Sequence, residues 1–461
     1  MSRYLCLAFL LTAAVLFAQG VPDNGRKEPN PAGIEQEPAE ITHGPWLAHP
    51  DVGAITIGFT TTRNCGGGVE YREKGAKEWT AAWDTIAGQI NKLHIQHPIR
   101  LTGLKPDTEY EYRILIFKPL VKVDVHSKDA RVKQVVTKEN PAWHFRTFTN
   151  APQDYHFTLT SDLQFSNKTK GHYLTQGHNN CGTKDARFFV NLGDSDDNFA
   201  NFDLAFMQGI VDALTTINGS SCPTIFARGN HEWRGRQCTL WTEYFPAPVT
   251  AAPYYSFRCG EAFYIVLDTG EDQHAGGLNF HYTGINIDNK TFMNQQADWL
   301  DTVVASDAFK TAKYRIVLAH GAIYSHPEKF MHDDTALILR DHFTADKPAE
   351  RIHLWLAGHT HNYERTVPGK GIIYWIDEGK REVYEQGNYP FPVVTNDGPG
   401  FGGLHNTFLN VAVSSDRLVV KAMAPDGVLL DQFEILPDGS CVDKNDGTLK
   451  AKPFPAKYKK N

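Results

Sequence analysis

The rhythm of apolar and polar positions along this chain changes once, near residue 150. From Gly44 to about Thr149 it has period two: AITIGFTT sets every second residue on one face, as a half-buried strand does. RNCGGG then supplies a turn. In LTGLKPDTEYEYRILI, residues Leu104, Pro106, Tyr110 and Tyr112 surround the start of another strand, as in the tyrosine corner of immunoglobulin-like and fibronectin type III sandwiches. WHFRTF closes this all-β stretch, and its length of about a hundred residues suits such a sandwich. Beyond about Gln153, short apolar runs alternate with helical ones. Leu204, Met207, Val211 and Leu214 recur at three- and four-residue spacing in NFDLAFMQGIVDALTTIN, which predicts a helix with one core-facing stripe. QQADWLDTVVAS reads the same way. The expected fold is two-domain: an N-terminal all-β fibronectin/immunoglobulin-like sandwich at 44–149, then a layered α/β domain at 150–436, with a solvated lysine-bearing tail at 437–461.

The N-terminus changes the picture. In MSRYLCLAFLLTAAVLFAQG, Arg3 precedes an apolar run too short for a membrane span, and Ala18-Gln19-Gly20 offers small residues for cleavage. Residues 1–20 therefore read as a signal peptide and 21–43, rich in Pro, Glu and Asn, as a flexible linker. The mature chain is expected to be exported, secreted or periplasmic, with no membrane span. Removing Cys6 leaves Cys65, Cys181, Cys222, Cys238, Cys259 and Cys441, enough for three disulfides in an oxidising compartment. The pairings expected are Cys181 with Cys222 and Cys238 with Cys259. None lies in a CxxC, which argues against a zinc-thiolate site. A net charge of -7 argues against a strongly basic nucleic-acid binder.

Candidate chemistry sits where the apolar runs of the second half stop. HFTLTS leads to Asp162, FFVNLG to Asp194, TIFARG to Asn230, His231 and Glu232, YRIVLA to His320, and HLWLAG to His359 and His361. Ligands of layered α/β domains gather beyond the carboxyl ends of strands, so these residues should converge. In extended backbone, residues i and i+2 share a side, which would turn His359 and His361 into one pocket. Imidazoles, carboxylates and an amide oxygen without thiolate suit Fe, Zn or Mn. The donors outnumber what one ion needs, and Asp194 is placed to bridge. Two ions about 3.5–4 Å apart form a clamp for in-line attack at phosphorus.

Asp162-Leu-Gln, Gly193-Asp194-Ser-Asp-Asp197, Gly229-Asn230-His231-Glu232, His320 and Gly358-His359-Thr-His361 together resemble the signature of calcineurin-like metallophosphoesterases. GHTHNYER and the preceding sandwich make the chain look most like a purple acid phosphatase. The resemblance implies an αββα catalytic domain with two metal ions per chain, which hydrolyses phosphomonoesters through a metal-activated water. By position, it implies Asp162, Asp194 and His361 at one ion, and Asp194, Asn230, His320 and His359 at the other. His231 would act as general acid, and Asn230 and His231 would also touch the substrate, a small-molecule phosphate ester. Tyr324, His326, His332 and Arg365 lie near the motifs; of these Tyr324, His326 and Arg365 are candidate substrate contacts, though for Arg365 a structural ion pair with a carboxylate is the favoured reading.

Two positions depart from the family. Gln164 stands where the wider superfamily has a histidine, and offers at most an amide oxygen to the first ion. Asp197 stands where purple acid phosphatases supply a tyrosine, so no purple charge-transfer colour is expected. Asp197 is instead expected to hydrogen-bond His231 through its carboxylate and so share in the catalysis. Two alternatives remain open on these residues: a phosphodiesterase with the same centre, and a non-catalytic surface-binding protein with a decayed metal site.

Overall fold

The computed structural model describes residues 39–91, 94–117, 135–164, 166–248, 252–271, 288–323, 339, 341–343, 350–370, 372–377, 380–385, 390–396, 398, 406–445 and 451–453. The expected signal peptide, most of the expected linker, and Tyr324, His326 and His332 lie outside the described residues.

Two mixed sheets face each other. In the first, strands Tyr155–Thr160, Phe189–Asn191 and Thr224–Phe226 run parallel, flanked by the antiparallel strands Phe408–Val413, Leu418–Met423 and Leu429–Ile435. In the second, Ala262–Leu267, Tyr314–Ala319, Leu354–Ala357 and Val393–Thr395 run parallel. These strands are buried on both faces, so they read as continuous apolar runs rather than alternating ones. Alternation still sorts their side chains. Leu159, Val190 and Ile225 meet Tyr264, Val266, Ile316, Leu318, Leu354 and Leu356 between the sheets. Their neighbours point outward: Phe189 and Phe226 toward Leu174, Phe206 and Ile210, and Ile265, Val317 and Trp355 toward Met293 and Leu300 of helix Asn289–Ala305. The layers are therefore helix, sheet, sheet, helix.

The helix expected in NFDLAFMQGIVDALTTIN forms with a different winding. Residues Asp203–Val211 are π-helical, with the Asp212 N–H donating to the Met207 carbonyl five residues back, before an α-helix over Asp212–Asn218. The wider turn shifts the buried face. Met207, Val211 and Leu214 are core, joined by Ala205, Phe206 and Ile210, while Leu204 is 52% exposed, against expectation.

The N-terminal strand-rich region has a core of its own, in which Ile57, Phe59, Val69, Ile99, Tyr112, Ile114 and Phe145 are buried together. Its first strand, Ile41–Asp51, begins inside the stretch expected to be linker and also belongs to the second half. It pairs antiparallel with Ala54–Glu73 and parallel with Thr224–Phe226, so the first sheet is continuous across both halves. Leu47 enters the N-terminal core, whereas Trp46 and Ala48 enter the helix-side core of the first sheet. The Tyr112 hydroxyl donates to the Ser220 carbonyl (2.8 Å), and His43 bridges Asp203 and Asp212 (2.7 and 3.0 Å).

The two expected disulfides are not formed, because Cys65, Cys181, Cys222, Cys238, Cys259 and Cys441 are all free thiols. Burial places them beside other acceptors instead: Cys181 donates to the Ala424 carbonyl and Cys222 to the Ala186 carbonyl. Among the described residues, no helix is long and apolar enough to cross a membrane.

Candidate metal centre

The parallel order of both sheets delivers five loops to one edge. Asp162 follows Tyr155–Thr160, Asp194 follows Phe189–Asn191, Asn230 follows Thr224–Phe226, His320 follows Tyr314–Ala319, and His359 follows Leu354–Ala357. Each turn is abrupt. Asp162, Asp194, His359 and His361 all have left-handed backbone, with φ of 55°, 53°, 72° and 54°. Non-glycine residues there cost about 1–3 kcal/mol each and persist only where the surroundings fix them. The fixing groups are visible: Asp162 N donates to the Gly193 carbonyl (3.0 Å), Leu163 N to the Asp194 carbonyl (2.7 Å), and Gly358 N to the His320 carbonyl (2.9 Å). The loops also pass too closely for a Cβ at several points. One added at Gly229 would lie 2.3 Å from Asp194 Oδ1, and one at Gly358 2.5 Å from Asp162 Oδ2.

This crowding gathers two overlapping sets of potential metal ligands, Asp194 with His320 and His359, and Asp162 with Asp194 and His361. Asp194 is common to both. His359 and His361 separate between the sets; they do so from left-handed turns, so the extended-strand geometry expected for them is not the one used. His320 Nδ1 donates to the Leu192 carbonyl (2.8 Å), which fixes the tautomer and presents Nε2 to the cluster. That Nε2 lies 3.2 Å from Asp194 Oδ2, yet it is buried and makes no hydrogen bond. Two lone-pair atoms converging in this way is what ligands of one ion do. His361 Nε2 stands 3.7 Å from Asp162 Oδ1, and the His359 N–H donates to both oxygens of Asp162 (3.0 and 3.1 Å).

The electrostatics are those of a cation cage. Asp162, Asp194 and Glu232 are buried together. Burial raises the Asp162 carboxyl above its ordinary range, while His361 and His320 oppose this. Burial also works against ionised Asp194, but His231, His320 and His359 outweigh it and hold the carboxyl well below the usual range. Burial by itself would lower His320; the attraction of Asp194, Asp162 and Glu232 overcomes this and pushes it up to about 10. The cluster thus stabilises positive charge at its centre, and a metal cation is the charge its oxygen and imidazole donors fit.

The remaining expected residues fall into place unevenly. Gln164 joins the cluster, donating from Nε2 to Asp194 Oδ2 (3.1 Å), while its Oε1 is buried without a hydrogen bond. Asn230 Oδ1 lies 3.1 Å from His359 Nδ1. His231 borders the cluster, its main-chain N–H donating to Asp194 Oδ1 (3.0 Å) and its Nε2 3.6 Å from Asp194 Oδ2. Arg365 is not at the site. It is buried in an ion pair with Asp431 (Nε to Oδ2, 2.8 Å), with the Tyr363 hydroxyl on the same carboxylate.

Asp197 needs a correction. It does meet His231, but through its main-chain carbonyl, which accepts from Nδ1 at 2.7 Å; the residue itself is exposed. The turn after Asp194 carries that carbonyl, not the carboxylate, toward the imidazole. An Asp197→Asn variant is therefore expected to keep its rate within about twofold and its pH–rate profile unchanged. A displaced profile would restore the carboxylate to the mechanism.

Glu232 follows His231 in the same motif and ties the site together. Its Oε2 accepts from Asp194 N and Gly229 N, and its Oε1 from Ser195 N, all at 2.8 Å. One buried carboxylate thus ties two site loops together. Its signal was a carboxylate directly after Asn230 and His231. Ser161, which donates to Asp162 Oδ2, gave no such signal.

Residues 155–363 match the family of calcineurin-like phosphoesterases, and that span contains every loop of the centre. This part of the chain is a calcineurin-like phosphoesterase domain. Solved structures agree on the fold. A purple acid phosphatase from yellow lupin (Lupinus luteus) seeds aligns over 88% of this chain and 77% of its own, with a TM-score of 0.56 and 16% identity. A structure of PhoD aligns over 89% and 94%, with a TM-score of 0.55 and 11% identity. Both alignments extend well beyond the phosphoesterase domain, so the N-terminal strands belong to the shared architecture as well.

Proposed function

We propose that the chain is an exported metal-dependent phosphoesterase that hydrolyses phosphomonoesters. The observation that carries this reading is the pair of ligand sets sharing Asp194. Asp162, Asp194 and His361 would hold one ion, with Gln164 Oε1 beside it; Asp194, Asn230, His320 and His359 would hold the second. Two ions of Fe, Zn or Mn would supply Lewis acidity and a water of lowered pKa. Around them, the chain's own groups orient and protonate. The Asp197 carbonyl holds the Nδ1–H of His231, so that Nε2 faces the cluster as the atom that passes a proton to the leaving oxygen. Asn230 steadies His359 and borders the space a phosphoryl group would fill.

The N-terminal region reads as a fibronectin type III-like module that serves packing. Supporting this, the Tyr110 hydroxyl accepts from Lys105 N (3.0 Å), the bond that defines a tyrosine corner. The apolar run at residues 5–17 and the small residues after it support export.

The test strips the protein with chelator, reloads it with Mn, Zn or Fe, and assays 4-nitrophenyl phosphate against bis(4-nitrophenyl) phosphate across pH. The expected result is activity restored by metal, higher on the monoester. A higher rate on the diester would make the chain a phosphodiesterase. Folded protein inert with every metal would overturn the catalytic reading.

A further inference from the structure

Three buried arginines flank the site motifs in sequence, and they are not equivalent. Arg365 is held by Asp431, outside the cluster. Arg228 donates from Nε to Asp268 Oδ2 (2.5 Å) and stacks on Trp233, its guanidinium carbon 4.0 Å from the ring centroid. Arg234, which follows the short turn His231–Trp233, touches the candidate catalytic histidine itself.

Glu271 fixes it there. The Glu271 carboxylate takes Nε and Nη2 of Arg234 at 2.8 Å each, in the fork-on-fork geometry that sets a guanidinium plane. Arg234 is 3% exposed and Glu271 1%. The third nitrogen, Nη1, is thereby directed at His231, 2.9 Å from Nε2 and 3.3 Å from Nδ1. Because Nδ1–H is committed to the Asp197 carbonyl, Arg234 Nη1 stands beside Nε2, on the ring edge that faces Asp194. A rigid planar donor thus stands one imidazole away from the shared carboxylate. Burying such a pair is costly, and a hydrophobic pair of equal volume would hold the loop as well or better. The position therefore suits a donor with a purpose.

We propose that Arg234, anchored by Glu271, binds a non-bridging phosphoryl oxygen of the substrate and selects phosphomonoesters over diesters. This rests on the phosphoesterase reading above and assigns its substrate class to a residue. A monoester carries one more non-bridging oxygen, and more negative charge, than a diester. A guanidinium edge beside His231 can donate to that oxygen; a diester puts an alkoxy or aryloxy group there, which carries no charge for the guanidinium to meet.

The experiment uses the full chain reloaded with the metal that restores activity, comparing wild type, Arg234→Gln and Arg234→Lys. Kinetics are read on 4-nitrophenyl phosphate and bis(4-nitrophenyl) phosphate, and inorganic phosphate binding is read by calorimetry. Arg234→Gln is expected to lower kcat/KM on the monoester about 30- to 100-fold, mainly through KM, and on the diester by no more than about threefold. Phosphate affinity should fall by a factor similar to that of the monoester. Arg234→Lys keeps the charge without the fork and should lose about tenfold on the monoester. It also keeps the test open if Arg234→Gln does not fold. Equal losses on both esters, or unchanged phosphate affinity, would overturn the proposal. Wild type that hydrolyses neither ester but binds phosphate through Arg234 would sink the catalytic reading and leave this assignment standing.

Discussion

Asp194→Asn is expected to abolish phosphoester hydrolysis, lowering kcat/KM by at least about 10³-fold. The metal content of the purified protein should fall from two ions per chain to one or none. The reason is local. Asp194 contributes to both ligand sets, Oδ1 accepts from the His231 N–H, and Oδ2 faces His320, His231 and the Gln164 amide. A carboxylate can serve all of these at once. A neutral amide has one oxygen, and its NH₂ would face the Gln164 or His231 donors without an acceptor. The variant is also expected to remain folded, since it removes a buried negative charge from a cluster that already holds Asp162 and Glu232. Elemental analysis and a thermal melt on the same sample separate the outcomes. Two ions retained with full activity would mean that Asp194 does not bridge.

Glu232→Ala is expected to be the most destabilising single change near the site, at about 3–5 kcal/mol. Three buried N–H donors, of Asp194, Ser195 and Gly229, lose their acceptor together. Those donors belong to loops whose left-handed turns must be held against their own strain, at Asp194 above all. For a domain of this size the melting temperature should fall by roughly 10 °C. Metal affinity should fall as well, because the loop that presents Asp194 loosens. Burial raises the Glu232 carboxyl, as does neighbouring Asp194, so its cost is the desolvation of a charge and its return is three hydrogen bonds. Glu232→Gln tests the distinction. The amide oxygen can keep the two bonds made by Oε2, while its NH₂ opposes the Ser195 N–H, so an intermediate loss is expected. A melt of Glu232→Ala within about 1 kcal/mol of wild type would show that water or another group takes over the three donors.

Much of this was legible in the residues. Apolar runs ending in Asp162, Asp194, Asn230, His320 and His359 identify strands buried on both faces, and the donors at their ends identify the edge where a ligand binds. Period and composition also point to the N-terminal strands. These are local properties, fixed by side-chain chemistry and by spacing along one segment. Other features depend on how segments meet. The left-handed turns that separate His359 from His361 depend on Gly358 lying against Asp162, and no period of two foretells them. The π-helical winding that exposes Leu204 depends on the sheet face it covers. Cysteines legible as pairs are free thiols, because parity says nothing about proximity. Asp197 offers a carbonyl in place of its carboxylate. The sequence by itself determined which donors the centre contains. The tertiary structure decided which of them meet, which are held by Glu232, and which arginine stands beside His231. Those partners lie on different strands, and only the packing of the two sheets brings them within hydrogen-bonding reach.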